Sequence, residues 1–151
     1  MIALFVGRFQ PFHIGHLDAL MQIQEKYDLI KLGIGSAKVS GTDKNPFDIE
    51  ARKKMIESII PKLKSKIEIY EIPDINDDKR WVSYVKEIVG DFDIVYSGND
   101  YVLELFSREN IPTKKQTFNI DINATRIREM IRKGEDYSEY VTEEVREIIT
   151  D

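Results

Sequence analysis

Short apolar runs alternate along this chain with stripes of apolar residues at helical spacing. The apolar runs predict five strands, at residues 2–6, 29–34, 67–72, 94–96 and roughly 116–120. They are too uniformly apolar for half-exposed hairpins, and no Asn-Gly or Asp-Gly turn joins them. The pattern therefore predicts buried strands of a parallel sheet.

Helical spacing of apolar residues predicts helices over residues 14–26, 47–60, 79–89 and 123–133. Gly134 follows the fourth helix as a stop signal. A last helix carries the stripe Val141, Val145, Ile148 and Ile149. Strands that alternate with helices form βαβ crossovers, so we predict an α/β fold with a doubly wound parallel sheet of about five strands and helices on both faces.

Composition narrows the class of protein. A length of 151 residues with 42% apolar residues predicts a single domain over residues 1–151. No apolar run is long enough to span a bilayer and the first residues are not a signal peptide, so we expect a cytoplasmic protein without a membrane partner. The net charge of -5 argues against nucleic acid as a partner, and the lack of cysteine excludes thiolate zinc sites and cysteine nucleophiles.

Glycine or small polar residues follow every predicted strand. They are Gly7 and Arg8, then Gly33, Gly35 and Ser36, then Asp74, then Ser97, Gly98 and Asn99, and finally residues 123–128. Such residues also mark ordinary turns. Doubly wound sheets bind ligands at the carboxyl ends of their strands, and five coinciding sites favour a ligand-lined edge.

The stretch GRFQPFHIGH, residues 7–16, holds both histidines of the chain, His13 and His16. They fall at the predicted start of the first helix, where free N–H groups and a partial positive charge attract anions. The two imidazoles could donate hydrogen bonds to a phosphate chain, and Gly15 leaves room for its approach. A lone histidine is more often a satisfied structural residue. A metal site is less favoured, because no carboxylate lies at a convincing ligand spacing.

Two further stretches carry candidate chemistry. In NATRIR, residues 123–128, Asn123 is a good helix N-cap, Thr125 falls in the first turn, and Arg128 could bind two anionic oxygens at once. Trp81 is the only tryptophan. It is either a core residue or a flat platform for a base, and its strongly polar neighbours suit the rim of a pocket.

These residues resemble a known family. GRFQPFHIGH is similar to the signature of the nucleotidyltransferases with an H-x-G-H motif, and GRFQPFH in particular resembles the archaeal-type nicotinamide-nucleotide adenylyltransferases. Further blocks of that family follow in order: GIGSA, NPF with Arg52, DI with Trp81 and Val82, and YSGN. NATRIR stands where the family usually has S-G-T-x-I-R. The resemblance covers nearly the whole chain.

The resemblance implies a Rossmann-like sheet and adenylyl transfer from ATP to nicotinamide mononucleotide. It implies Mg²⁺ held mainly by the ATP phosphates, without protein metal ligands, and a homo-oligomer, often a hexamer. The implied site residues form three groups. They are the catalytic residues His13, His16 and Arg128, the ATP-binding residues Gly7, Arg8, Phe9, Gly15, Gly98, Asn99, Asn123 and Thr125, and the mononucleotide-binding residues Gly35, Ser36, Asp78 and Trp81.

The chain departs from the family pattern at three positions. Asn123 and Ala124 replace the usual serine and glycine, and Asp78 replaces an asparagine near the nicotinamide amide. A carboxylate there predicts a preference for the amide acceptor over the acid. Two alternatives stay open. One is a sister enzyme acting on nicotinate mononucleotide, pantetheine phosphate or flavin mononucleotide, and the other is a module that binds a nucleotide without turnover.

Overall fold

The computed structural model of the chain describes residues 1–118 and 121–151. It contains one parallel sheet of five strands in the order β3-β2-β1-β4-β5. The strands are β1 Ile2–Gly7, β2 Leu29–Gly35, β3 Lys66–Ile72, β4 Ile94–Ser97 and β5 Thr113–Lys115. The predicted parallel sheet is therefore confirmed, and the first four strands lie within one or two residues of their predicted bounds.

Within the described residues, six α-helices connect and cover the strands. They are α1 Ile14–Ile23, α2 Ile49–Ile59, α3 Asp78–Val89, α4 Asp100–Arg108, α5 Ala124–Lys133 and α6 Glu143–Thr150, with a 3₁₀ turn at Ile60–Lys62. Side-chain oxygens set several of the helix starts. Asp48 accepts a hydrogen bond from the Ala51 amide at 2.8 Å, which is why α2 begins later than predicted. Gly134 ends α5 in the left-handed conformation, as predicted.

Two elements differ from the prediction. The fifth strand lies at Thr113–Lys115, before the predicted 116–120, and Asn119 and Ile120 fall outside the described residues. It is an edge strand whose Lys114 and Lys115 are exposed, so no apolar run marks it. The helix α4, which has 9 residues, was not predicted.

Helices on both faces of the sheet bury two separate apolar clusters. Alternate residues of β1 point to opposite faces. Phe5 packs into the cluster beneath α1, α2, α5 and α6, whereas Leu4 and Val6 pack into the cluster beneath α3 and α4. No helix within the described residues is long and apolar enough to cross a membrane.

The central strand β1 pairs with β2 on one side and with β4 on the other. The chain leaves the carboxyl end of β1 toward β2 and leaves that of β4 toward β5, which lie on opposite sides of this central pair. This divergence is the topological switch point at which doubly wound folds open a ligand crevice.

Candidate active site

The two histidines cap the start of α1 reciprocally. The Nδ1 atom of His13 accepts hydrogen bonds from the amides of Gly15 at 3.1 Å and of His16 at 3.3 Å. The Nδ1 atom of His16 accepts one from the His13 amide at 3.0 Å. This is a capping box built from imidazoles in place of the usual hydroxyl and carboxylate.

The capping box decides which ring nitrogens carry protons. A backbone amide can only donate, so each Nδ1 presents a lone pair and each neutral ring carries its proton on Nε2. Burial lowers the pKa of His13 to about 4. Burial, and then the charge of His13, lower the pKa of His16 well below its ordinary value. Both imidazoles are therefore neutral at pH 7, each with one N–H donor that the cap leaves unused.

The packing around the rings fixes them in place. The two imidazoles stack with centroids 3.6 Å apart and planes 22° apart. A Cβ on Gly15 would lie 2.8 Å from His13 Cε1, so this glycine makes room for the imidazole ring. Phe9, which the resemblance assigns to the ATP site, is 2% exposed and meets the His16 ring edge-on at 4.9 Å.

Arg128 reaches from α5 to the loop after β1. Its Nη1 donates to the Gln10 carbonyl at 2.8 Å and its Nη2 donates to Thr125 Oγ1 at 3.1 Å. Burial lowers the pKa of Arg128, and the nearby charge of Arg8 lowers it further. The amide of Asn123 is engaged as the N-cap of α5, where Oδ1 accepts from the Arg126 amide at 2.8 Å, as predicted. The positive charges of Arg8 and Arg128 therefore act on each other, and an anion bound to both would relieve that repulsion.

A cleft of about 510 Å³ opens at the carboxyl ends of the strands. Nine of the fifteen site residues that the resemblance implies line it: Gly7, Arg8, His16, Gly35, Ser36, Asp78, Trp81, Gly98 and Asn99. The other six, which are Phe9, His13, Gly15, Asn123, Thr125 and Arg128, lie outside its lining. The cleft therefore joins the ends of β1, β2 and β4 with the starts of α1, α3 and α4.

Arg52 organises one wall of the cleft from below. Its side chain is fully buried and donates only to backbone carbonyls within the described residues. Nη1 binds the carbonyls of Arg8 at 3.1 Å and Gly35 at 2.9 Å, and Nη2 binds that of Ser36 at 3.1 Å. The guanidinium joins the ends of β1 and β2 and holds Ser36 at a φ of 48°. Carbonyl oxygens that would repel an anion are thereby turned onto a cation.

The outer rim of the cleft consists of polar and aromatic side chains from α3 and α4. The Tyr101 hydroxyl donates to Asp78 Oδ2 and joins the starts of the two helices. Trp81 lines the cleft and also packs edge-on against Phe106, with centroids 5.4 Å apart. The contact with Phe106 agrees with the interpretation of Trp81 as a core residue, and its place in the cleft lining agrees with the interpretation as a rim residue.

Gln116 lines the inner end of the same cleft, beside Gly98. A Cβ on Gly98 would lie 2.8 Å from the Gln116 Nε2 atom, so the glycine makes room for this amide. The Gln116 Oε1 atom is buried and has no hydrogen-bond partner among the described residues.

Sequence reasoning missed Gln10, Tyr101 and Gln116, and it assigned no role to Arg52. Gln10 stands within the GRFQPFH block, and its side-chain amide binds both the N–H and the C=O of Phe47 at 2.9 Å. The one sequence signal for Gln10 and Arg52 was their position inside blocks that resemble the family. Tyr101 and Gln116 carry no such signal, because their partners lie far away along the chain.

Comparisons with known proteins agree with this geometry. A model of the cytidylyltransferase-like family matches residues 4–148. The nicotinamide-nucleotide adenylyltransferase of Methanococcus vannielii is 40% identical over 151 residues, which cover 99% of this chain and 88% of the relative. That of Thermococcus sibiricus is 42% identical over 156 residues, which cover 99% of this chain and 83% of the relative.

Solved structures share the fold at low identity. A bifunctional NMN adenylyltransferase/ADP ribose pyrophosphatase from Francisella tularensis, complexed with AMP and a manganese ion, superposes with a TM-score of 0.75 at 22% identity. The match covers 99% of this chain and 52% of that protein, so this chain corresponds to about half of it. The family match and the two archaeal relatives extend over nearly the whole length. The chain therefore belongs to the cytidylyltransferase-like family, beside relatives named nicotinamide-nucleotide adenylyltransferase.

Proposed function

We propose that this chain transfers the adenylyl group of ATP to the 5′-phosphate of nicotinamide mononucleotide, which gives NAD⁺ and pyrophosphate. The observation that carries the proposal is the reciprocal histidine cap, which leaves two neutral Nε2–H donors at the start of α1, where His16 lines the cleft together with Arg8. The names of the archaeal relatives support adenylyl transfer to this acceptor.

The proposed reaction needs no enzyme nucleophile. A 5′-phosphate oxygen of the mononucleotide attacks the α-phosphorus of ATP, the bond between that phosphorus and the α,β-bridging oxygen breaks, and pyrophosphate leaves in line. Both reactants are anions and no proton has to move. Positioning and neutralisation of charge therefore supply most of the rate enhancement.

The side chains divide this work between charge and orientation. Arg8 and Arg128 supply positive charge to the phosphates, and Arg128 is aimed by its bonds to Gln10 and Thr125. His13 and His16 are neutral donors whose hydrogen bonds strengthen as negative charge grows on the leaving pyrophosphate. A neutral imidazole keeps its N–H oriented and does not repel its stacked partner.

A divalent cation would be held at this site mainly by the phosphate oxygens of ATP. No group of three or more His, Cys, Asp or Glu side chains within the described part of the chain could hold a metal ion. Mg²⁺ dehydrates reluctantly and binds readily through phosphate oxygens and water. We therefore propose that Mg²⁺ enters with ATP, where it neutralises the phosphate charge, and that the protein orients the phosphates.

The outer end of the cleft suits the acceptor. Trp81 presents a ring face on which a nicotinamide base can stack, and Asp78 offers a carboxylate to the carboxamide N–H of that base. Gly35 and Ser36 line the wall between this rim and Arg8, where we assign the acceptor phosphate. A homo-oligomer remains part of the proposal, and light scattering of the purified chain tests it.

An acceptor panel tests the proposed function. The purified chain is incubated with ATP, Mg²⁺ and one of nicotinamide mononucleotide, nicotinate mononucleotide, pantetheine phosphate or flavin mononucleotide, and pyrophosphate release is followed. We expect the highest kcat/KM with nicotinamide mononucleotide. A higher value with pantetheine phosphate or flavin mononucleotide would assign the chain to a sister enzyme. Tight ATP binding without pyrophosphate release from any acceptor would identify a binding module.

A further inference from the structure

Among the described residues three large apolar or aromatic side chains are strongly exposed, and Tyr101, at 48%, is the one of them that lines the cleft. It stands in the first turn of α4, where its amide donates to the capping oxygen of Asn99 at 2.9 Å. The cap fixes the backbone from which the ring extends across the rim.

The Tyr101 hydroxyl donates to one oxygen of Asp78, on the opposite side of the rim. The other oxygen, Oδ1, has no hydrogen bond within residues 1–118 and 121–151. A hydroxyl bonded to a carboxylate is a charge-assisted pair, stronger than a neutral one. The contact therefore occupies one oxygen of Asp78 and leaves the other as the acceptor that the cleft presents.

The alternative for Asp78 is to turn to solvent. Asp78 is exposed, and as the first residue of α3 its carboxylate is otherwise free to change rotamer. A carboxylate that turns away offers nothing to a carboxamide and does not repel a second carboxylate. Discrimination between an amide and an acid therefore requires that something hold Asp78 in the cleft, and within the described residues Tyr101 is its one side-chain hydrogen-bond donor.

We propose that Tyr101 is a positioning residue that sets the acceptor preference of the cleft, because it fixes the Asp78 carboxylate toward a base carrying a carboxamide and against one carrying a carboxylate. This inference rests on the proposed function for the identity of the acceptor. Hydrogen bonding to Asp78 raises the pKa of Tyr101, so the hydroxyl remains a donor at neutral and mildly alkaline pH.

The test compares Tyr101→Phe, Asp78→Asn and the double variant with the wild-type chain. Tyr84→Phe is the matched control, because Tyr84 lies on α3 and its hydroxyl donates to the Pro73 carbonyl at 2.9 Å, away from Asp78. The Kd of nicotinamide mononucleotide and of nicotinate mononucleotide is measured by calorimetry without ATP. The kcat/KM of both is measured separately by pyrophosphate release.

We expect Tyr101→Phe to lower the preference for the amide acceptor about 3- to 10-fold, the range of one net hydrogen bond. The Kd for ATP and the preference of Tyr84→Phe should not change. In the Asp78→Asn background, the loss of the Tyr101 hydroxyl should have less than a 2-fold further effect, since the tyrosine acts through the aspartate.

Two results would overturn the inference. An unchanged acceptor preference in Tyr101→Phe would mean that Asp78 keeps its orientation without the tyrosine. An equal effect of Tyr101→Phe in the wild-type and Asp78→Asn backgrounds would mean that the hydroxyl contacts the ligand directly. The binding arm separates the two proposals. If Tyr101→Phe shifts the ratio of the two mononucleotide Kd values but the wild-type chain shows no turnover, the role of Tyr101 is supported and adenylyl transfer is refuted. If the wild-type chain turns over but the Kd ratio does not change in Tyr101→Phe, adenylyl transfer is supported and the role of Tyr101 is refuted.

Discussion

Replacement of His13 by two different residues separates its two roles. Asparagine is among the best N-cap residues, and its Oδ1 can accept the amide hydrogen bonds that His13 Nδ1 now accepts from Gly15 and His16. It cannot replace the Nε2–H donor. Alanine removes both the cap and the donor. His13→Asn should therefore keep most of the stability and lose activity, whereas His13→Ala should lose both.

The magnitudes follow from the contacts. Loss of an N-cap costs about 0.5–2 kcal/mol of unfolding free energy. In a chain of this size each kcal/mol corresponds to about 2–4 °C in Tm. Loss of one donor to a developing oxyanion costs about 100- to 1,000-fold in kcat. We expect both variants to show that loss in kcat. The decrease in Tm should be less than half as large in His13→Asn as in His13→Ala.

Thermal unfolding by circular dichroism and pyrophosphate release with nicotinamide mononucleotide provide the two readouts. Wild-type activity in His13→Asn, within about 5-fold, would remove Nε2 from the mechanism, because a lost oxyanion donor costs far more. Equal losses of Tm in the two variants would refute the capping role of the imidazole.

Four further predictions concern other parts of the site. Arg128→Lys should lower kcat/KM at least 10-fold in the same assay, because a point charge cannot replace a fork held by two hydrogen bonds, and full activity would contradict this. Trp81→Ala should raise the KM for the mononucleotide about 5- to 150-fold with little change in the KM for ATP, from the energy of base stacking; a loss of Tm alone would support the core interpretation. Gln116→Leu should raise Tm by about 2 °C or more, because it removes a buried acceptor without a partner among the described residues, and a lower Tm would refute this. In urea titrations His13 should contribute a fall of about 2.5 kcal/mol in the unfolding free energy as the pH drops from 6.5 to 4, because unfolded His13 binds a proton across this range and folded His13, with a pKa of about 4, binds one only at its lower end; His13→Asn should remove this contribution and leave that of His16, whose pKa is also lowered by burial.

The sheet was predictable where burial leaves a direct pattern in the sequence. The inner strands β1 and β2 are almost wholly buried, and their sequences are apolar runs that only Lys31 in β2 interrupts. The edge strand β5 has 3 residues and two exposed lysines, so its identity depends on pairing with β4 and not on its own sequence. Short elements that tertiary contacts determine carry little local signal.

The site was predictable in its residue types and not in its connections. The histidine pair and the NATRIR helix start are local patterns, and the predicted N-cap at Asn123 is confirmed. The sequence did not indicate which ring nitrogen of each imidazole accepts the amide hydrogen bonds at the start of α1, and the structure assigns this role to Nδ1. Arg52 was unpredictable for a different reason, since arginine is rarely fully buried and the carbonyl partners of its two Nη atoms lie 13 to 44 residues away along the chain.

The central claim is direct transfer of the adenylyl group between two substrates. It is tested most directly by incubation of the chain with Mg²⁺, nicotinamide mononucleotide and ATP labelled at the α-phosphorus. We expect the label in NAD⁺ in equal amount to the unlabelled pyrophosphate released, and no label in the protein when the acceptor is omitted. Label retained by the protein, or release of inorganic phosphate without labelled NAD⁺, would contradict the account.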